Sequence, residues 1–108
     1  MKNFNQLTLA EAERLAWLAE ELSEAAQRVA KVLRHGYESH HPDRPNTTNR
    51  KELESELGDV SAAIQLMFNR GDLEPVRVYN RKAFKLDTVW KFLWHNKRKK
   101  NEVFSHQG

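Results

Sequence analysis

The sequence predicts an all-α protein: an antiparallel bundle of three long helices, completed by oligomerisation. Three observations predict it. Apolar residues recur at helical spacing in three separate stretches. The stretches open and close on helix-capping residues. No stretch alternates polar and apolar residues as a half-buried strand would. The 108 residues fit one domain, read as a helical domain over 1–95 followed by a basic tail over 96–108.

The first helix opens at Thr8, with Glu11 three residues on, which is a capping box; Leu7 and Ala12 are spaced for a hydrophobic staple. It runs to about His35 and stops at Gly36, a C-terminal cap. Leu15, Leu18, Leu22, Ala26, Val29 and Leu33 share one stripe and are the expected buried face.

Residues 36–49 form a loop containing Pro42, Pro45 and the pair His40-His41. The second helix is expected to start at Asn49, with Glu52 at its third position. Its apolar stripe is Leu53, Leu57, Val60, Ile64, Met67 and Phe68. Asn69-Arg70-Gly71-Asp72 reads as a turn. Asp72 is the expected cap of the third helix, with Pro75 in its first turn. Tyr79, Ala83, Leu86, Val89, Trp90 and Leu93 mark its buried side, and the helix fades after His95. Helices of roughly 27, 21 and 22 residues are about 30–40 Å long at 1.5 Å per residue. Three broad apolar faces in so short a chain leave surface uncovered, so a homodimer or homotetramer is expected.

Composition narrows the chemistry. Cysteine is absent, which excludes disulfides and thiolate chemistry. No apolar run approaches the roughly 20 residues that span a bilayer. The N-terminus lacks the apolar stretch of a signal peptide, so the expected location is cytoplasmic and no membrane partner is expected. The net charge of +3 is uneven: residues 9–24 are acid-rich, and residues 77–100 are base-rich, ending in Lys97-Arg98-Lys99-Lys100. A basic half attracts phosphate, whether in nucleic acid or in a nucleotide.

Two acidic clusters carry the most chemistry: Glu20-Glu21-Leu22-Ser23-Glu24 and Glu56-Leu57-Gly58-Asp59. Each holds two carboxylates three residues apart, on one side of a helix. On a wheel of about 100° per residue, Glu21 and Glu24 lie roughly 90° and 150° from the first apolar stripe, and Glu56 and Asp59 lie roughly 70° and 130° from the second. Trp17, Arg28 and Lys31 share the first of these faces; Gly58, Ala62 and Ala63 are small and leave room for a ligand near the second pair. Two such helices side by side bring four carboxylates together, a repulsive arrangement that a divalent cation relieves. Oxygen ligands alone point to a hard ion, Mg²⁺ or Mn²⁺.

Glu20-Glu21-x-x-Glu24 followed by Glu56-x-x-Asp59 resembles the EExxE…ExxD signature of the MazG-like all-alpha nucleoside triphosphate pyrophosphohydrolases, over about residues 8–95. The neighbouring Glu-Glu-Leu-Ser-Glu-Ala-Ala and Leu-Gly-Asp-Val are similar to that family's versions as well. The resemblance implies a helical bundle assembled as a dimer or tetramer. It implies an enzyme that hydrolyses an NTP or dNTP to the monophosphate and pyrophosphate with Mg²⁺. By matching position it implies Glu21, Glu24, Glu56 and Asp59 as metal ligands, with Glu20 as an accessory carboxylate that helps orient water. The 31 residues between Glu24 and Glu56 are long for the pattern; the extra length falls in the histidine-containing loop and bears on substrate identity.

A carboxylate such as Glu20 or Glu24 can accept the proton of an attacking water. Cations beyond the metal should grip the phosphates. Lys82 is the leading candidate because it falls within the apolar arc of the third helix; Lys85, one turn on, is more peripheral. Snorkelling from the core edge is the plainer account of Lys82. Trp17 is spaced to stack on a base, or simply to pack. The alternative reading is a non-enzymatic helical module that binds nucleic acid through the basic third helix and tail.

Overall fold

The computed structural model describes residues 2–99 and 102. They form three α-helices, α1 (Leu9–His35), α2 (Asn49–Asn69) and α3 (Pro75–Thr88), followed by a single 3-10 turn, Val89–Phe92, with no strand among the described residues. The chain divides into two units, residues 1–72 and 73–108.

In the first unit, α1 starts as its capping box dictates. Thr8 Oγ1 accepts from Glu11 N–H at 3.1 Å, and Glu11 Oε1 accepts from Thr8 N–H at 2.8 Å. Gly36 ends the helix at φ 87°, a left-handed position that favours glycine, and donates to Val32 O. Thr48 caps α2 by accepting from Lys51 N–H at 3.1 Å, which puts Glu52 at the fourth helical position. Gly71, at φ 81°, closes the turn after α2.

The two helices pack side by side. Arg14, near the start of α1, donates two hydrogen bonds to Asp72 beyond the end of α2, at 2.6 and 2.8 Å. Arg28, late in α1, reaches Glu52, early in α2, at 3.2 Å. Those two contacts make the pair antiparallel. The first also corrects the expected cap of the third helix: Asp72 is held by Arg14, and Glu74 caps α3, with Pro75 at its first position.

The face joining the helices differs from expectation. Buried between α1 and α2 are Glu21, Ala25, Asn49, Glu56, Ala63 and Met67. Leu18 and Arg28 flank them half-buried. On the α1 wheel this face is centred roughly 90° from the apolar stripe. Leu15, Leu22, Val29 and Leu33, expected in the core, are exposed, Leu22 by 50% and Leu33 by 82%. The cause is geometric: a helix with two stripes can turn only one of them to a single neighbour, and α1 turns the acidic one.

The second unit contains α3, shorter than expected. Thr88 Oγ1 bonds back to Phe84 O at 2.9 Å, an alternative to continued helix, and Val89 adds a second β-branched residue. Trp90 Nε1 donates to Leu86 O at 2.7 Å. Arg98 pairs with Asp87 at 3.0 Å. Of the basic tail, residues 96–99 and 102 are described, while Lys100 and the remainder lie outside the described residues.

Candidate metal centre

α1 supplies Glu20, Glu21 and Glu24, one turn apart on one side of the helix; α2 supplies Glu56 and Asp59. One carboxylate oxygen from each of Glu21, Glu56 and Asp59 lies within 4.8 Å of those of the other two. Glu20, Glu21 and Glu24 form a second such group by the same measure. Glu21 belongs to both, so it joins the two pairs across the helix interface.

The inner members are deeply placed. Glu21 is 8% exposed and Glu56 5%. Glu24 is half-buried, and Glu20 and Asp59 are exposed at the rim. Glu21 Oε2 and Glu56 Oε2 are buried with no hydrogen-bond partner among the described residues. Buried polar atoms are ordinarily satisfied. Carboxylates as close as these cannot all stay ionised without a counter-charge. Contact with Glu21 foremost, then burial and the neighbouring Glu24, push the Glu56 carboxyl up to about 8.

No cation among the described residues pairs with this group. The nearest arginine along α1, Arg28, is committed to Glu52, which also takes Arg44 at 2.8 Å. Burial opposes the charge on Glu52, yet the bond from Arg44 and the charge of Arg28 hold its carboxyl below the usual range. So Glu52 is neutralised, and Glu21, Glu24, Glu56 and Asp59 have no positive partner among the described residues. An all-oxygen donor set with two orphaned buried oxygens fits a hard divalent cation.

Beside the carboxylates is an open cavity of about 410 Å³, lined by Glu24, Arg28, Lys51, Ser55, Glu56 and Asp59 among others. It brings carboxylates and cations to one surface. Lys51 was not foreseen from the sequence. Its signal was the four-residue spacing Lys51–Ser55–Asp59, which places all three along one line of α2.

The other residues expected at a site are placed as follows. Trp17 is partly exposed on α1, four residues before Glu21, on the same line as the cluster. Of the small residues expected to leave room for a ligand, Gly58 has nothing within 4 Å of where a Cβ would stand. Ala62 is exposed, whereas Ala63 is fully buried and serves helix–helix packing instead. Lys82 and Lys85 belong to the second unit. Both are exposed, so Lys82 does not occupy the core side expected of it. The half-buried line of α3 is Tyr79, Ala83 and Leu86, and the lysine stands beside it. With Arg77, Val78 and Arg81 the two lysines line a shallow hollow of about 410 Å³. The pair His40-His41 lies in the exposed loop between α1 and α2. No protein-family model, curated protein or solved structure matches the chain.

Proposed function

We propose that this chain is a Mg²⁺-dependent nucleoside triphosphate pyrophosphohydrolase of the MazG-like kind, cleaving an NTP or dNTP to the monophosphate and pyrophosphate. The observation that carries the reading is the cluster of Glu21, Glu24, Glu56 and Asp59, with two buried carboxylate oxygens that have no hydrogen-bond partner among the described residues. The order and spacing of the acids, resembling that family's signature, supports it.

In this reading Glu21, Glu24, Glu56 and Asp59 hold the ion. When bound, a hard divalent ion offsets phosphate charge and lowers the pKa of a coordinated water. The protein's own groups do the rest. Glu20 and Glu24 accept the proton of a water that adds across the anhydride between the α- and β-phosphates; the bridging P–O bond breaks and pyrophosphate leaves. Arg28 and Lys51 line the same cavity and attract the phosphates. Trp17 offers a face for a base. Lys82 and Lys85 are the additional cations of this reading.

The finer architecture belongs to the same proposal. A three-helix antiparallel bundle whose exposed α1 stripe is covered by a second copy would bury Leu15, Leu22, Val29 and Leu33. No helix of the described residues is long and apolar enough to cross a membrane, and the proposed setting is the cytoplasm. The test is a panel of the eight common NTPs and dNTPs with and without Mg²⁺. Pyrophosphate released from at least one of them only when Mg²⁺ is present supports the reading; none released refutes it.

One observation favours a second reading. Arg77, Arg81, Lys82 and Lys85 lie together on the exposed side of α3, which is the footprint of a nucleic-acid contact. That reading requires binding to DNA or RNA that weakens steeply with salt.

A further inference from the structure

A second cavity in the first unit has chemistry of its own. It encloses about 340 Å³, and its lining includes Lys31, Arg34, His35, His40, His41 and Asn49. No acidic side chain lines it. That volume is within the roughly 300–1,000 Å³ typical of small-ligand sites.

The cavity is built by a braced loop. Asn49 N–H donates to Ser39 O at 2.8 Å, Arg50 N–H to Tyr37 O at 2.9 Å, and Asn49 Nδ2 to Gly36 O at 3.1 Å. Of the acids nearby, Glu38 is engaged with Arg50 at 2.7 Å and Glu52 with Arg28 and Arg44, while the exposed Asp43 carboxylate stands 3.7 Å from His41 Nδ1, on the side of the ring away from Nε2. Lys31 and Arg34 have no ion-pair partner among the described residues. One local dipole adds to the positive charge of the cavity. The start of α2 is at Asn49 and contributes partial positive charge.

One of the histidines is set as a donor too. His41 Nδ1 accepts from Asp43 N–H at 3.0 Å, so the proton of a neutral His41 ring is on Nε2. His40 Nδ1 donates to His41 O at 2.9 Å, which fixes the ring of His40.

We infer that this cavity is a binding site for a phosphate group. Two unpaired cations beside a fixed imidazole donor recognise a compact dianion through charge-assisted hydrogen bonds. The site is separate from the carboxylate cluster. Lys31 follows Glu24 by seven residues, and Asn49 precedes Glu56 by seven, about 10 Å along each helix at 1.5 Å per residue. The phosphate comes either from the far end of a substrate held at the carboxylates or from a separate small molecule.

The test titrates inorganic phosphate into the full chain in chelator, following the histidine ring resonances by NMR, with sodium chloride at equal ionic strength as control. Without metal the carboxylate centre plays no part, so this result stands apart from the proposed hydrolysis. Saturable shifts of His40 and His41, weakened roughly tenfold or more in Arg34→Ala and unchanged in Glu56→Gln, are the expected result. Lys31→Ala provides a second variant. No saturable shift beyond the chloride control, or a shift that both cation variants leave intact, overturns the inference. The source is then read from nucleotide turnover. A raised KM with unchanged kcat in Arg34→Ala places the phosphate on the substrate, and unchanged kinetics place it on a separate molecule.

Discussion

Glu21 on α1 and Glu56 on α2 meet in the helix interface, each with one carboxylate oxygen buried and unsatisfied. Two like charges placed there work against folding. Glu56→Gln keeps the shape and, above about pH 8 where the folded carboxyl is ionised, removes one charge. In chelator its Tm should therefore rise by a few degrees over the wild type. Differential scanning calorimetry checks this, and a lowered Tm would mean that the carboxylate has a stabilising partner.

The same pair gives the metal-free protein an unusual pH dependence. The Glu56 carboxyl is raised in the folded state to about 8 from an ordinary 4.5. Its contribution to stability is fully present below the lower value and is lost as pH rises through the upper one. Asp72 has the opposite sign: the bond from Arg14 holds it low against burial, so its contribution is lost as acid protonates it. Melts in chelator should show stability falling between about pH 5 and about pH 8. Stability that rises across this window would contradict the assignment of Glu56.

The exposed stripe of α1 predicts association. Leu22→Asp should turn an assembly into a monomer without loss of helix content, because Leu22 is already half exposed in the single chain. Light scattering at micromolar concentration measures it. A wild type that is monomeric there refutes the proposed assembly.

Lys82 separates the two functional readings. In the hydrolase reading, Lys82→Ala lowers turnover or raises KM sharply, while neutralising Lys97, Arg98, Lys99 and Lys100 leaves hydrolysis nearly unchanged. In the nucleic-acid reading the order reverses. Hydrolysis and DNA or RNA binding, measured on both variants, distinguish them. A hydrolase indifferent to Lys82→Ala removes that lysine from the site and leaves the carboxylates in it.

Much of the fold was legible in local chemistry. Thr8 and Glu11 mark the start of α1, Gly36 its end, and Asn49 the first residue of α2, because caps depend only on neighbours in sequence. The choice of buried face was not legible. Hydrophobicity pointed to Leu15, Leu22 and Leu33, whereas α1 turns Glu21 and Ala25 to α2; a wheel describes one helix and not its partner. The cap of α3 was missed because Arg14, 58 positions away, takes Asp72, and no local rule carries such a contact. At the candidate centre the four acids could be read from spacing alone, whereas the spacing that puts Lys51 in line with Ser55 and Asp59 gains meaning only once the cavity beside them is seen.

The central claim is that Glu21, Glu24, Glu56 and Asp59 form a divalent-cation centre. Mn²⁺ binding followed by electron paramagnetic resonance tests it most directly, with wild type, Glu24→Ala, Glu56→Gln and Asp59→Ala compared at equal concentration and with helix content checked by circular dichroism. The account predicts saturable binding by the wild type, displaced by Mg²⁺ and weakened at least tenfold in each folded variant. Wild-type protein that leaves Mn²⁺ free in solution, or folded variants that bind it as well as the wild type does, would contradict it.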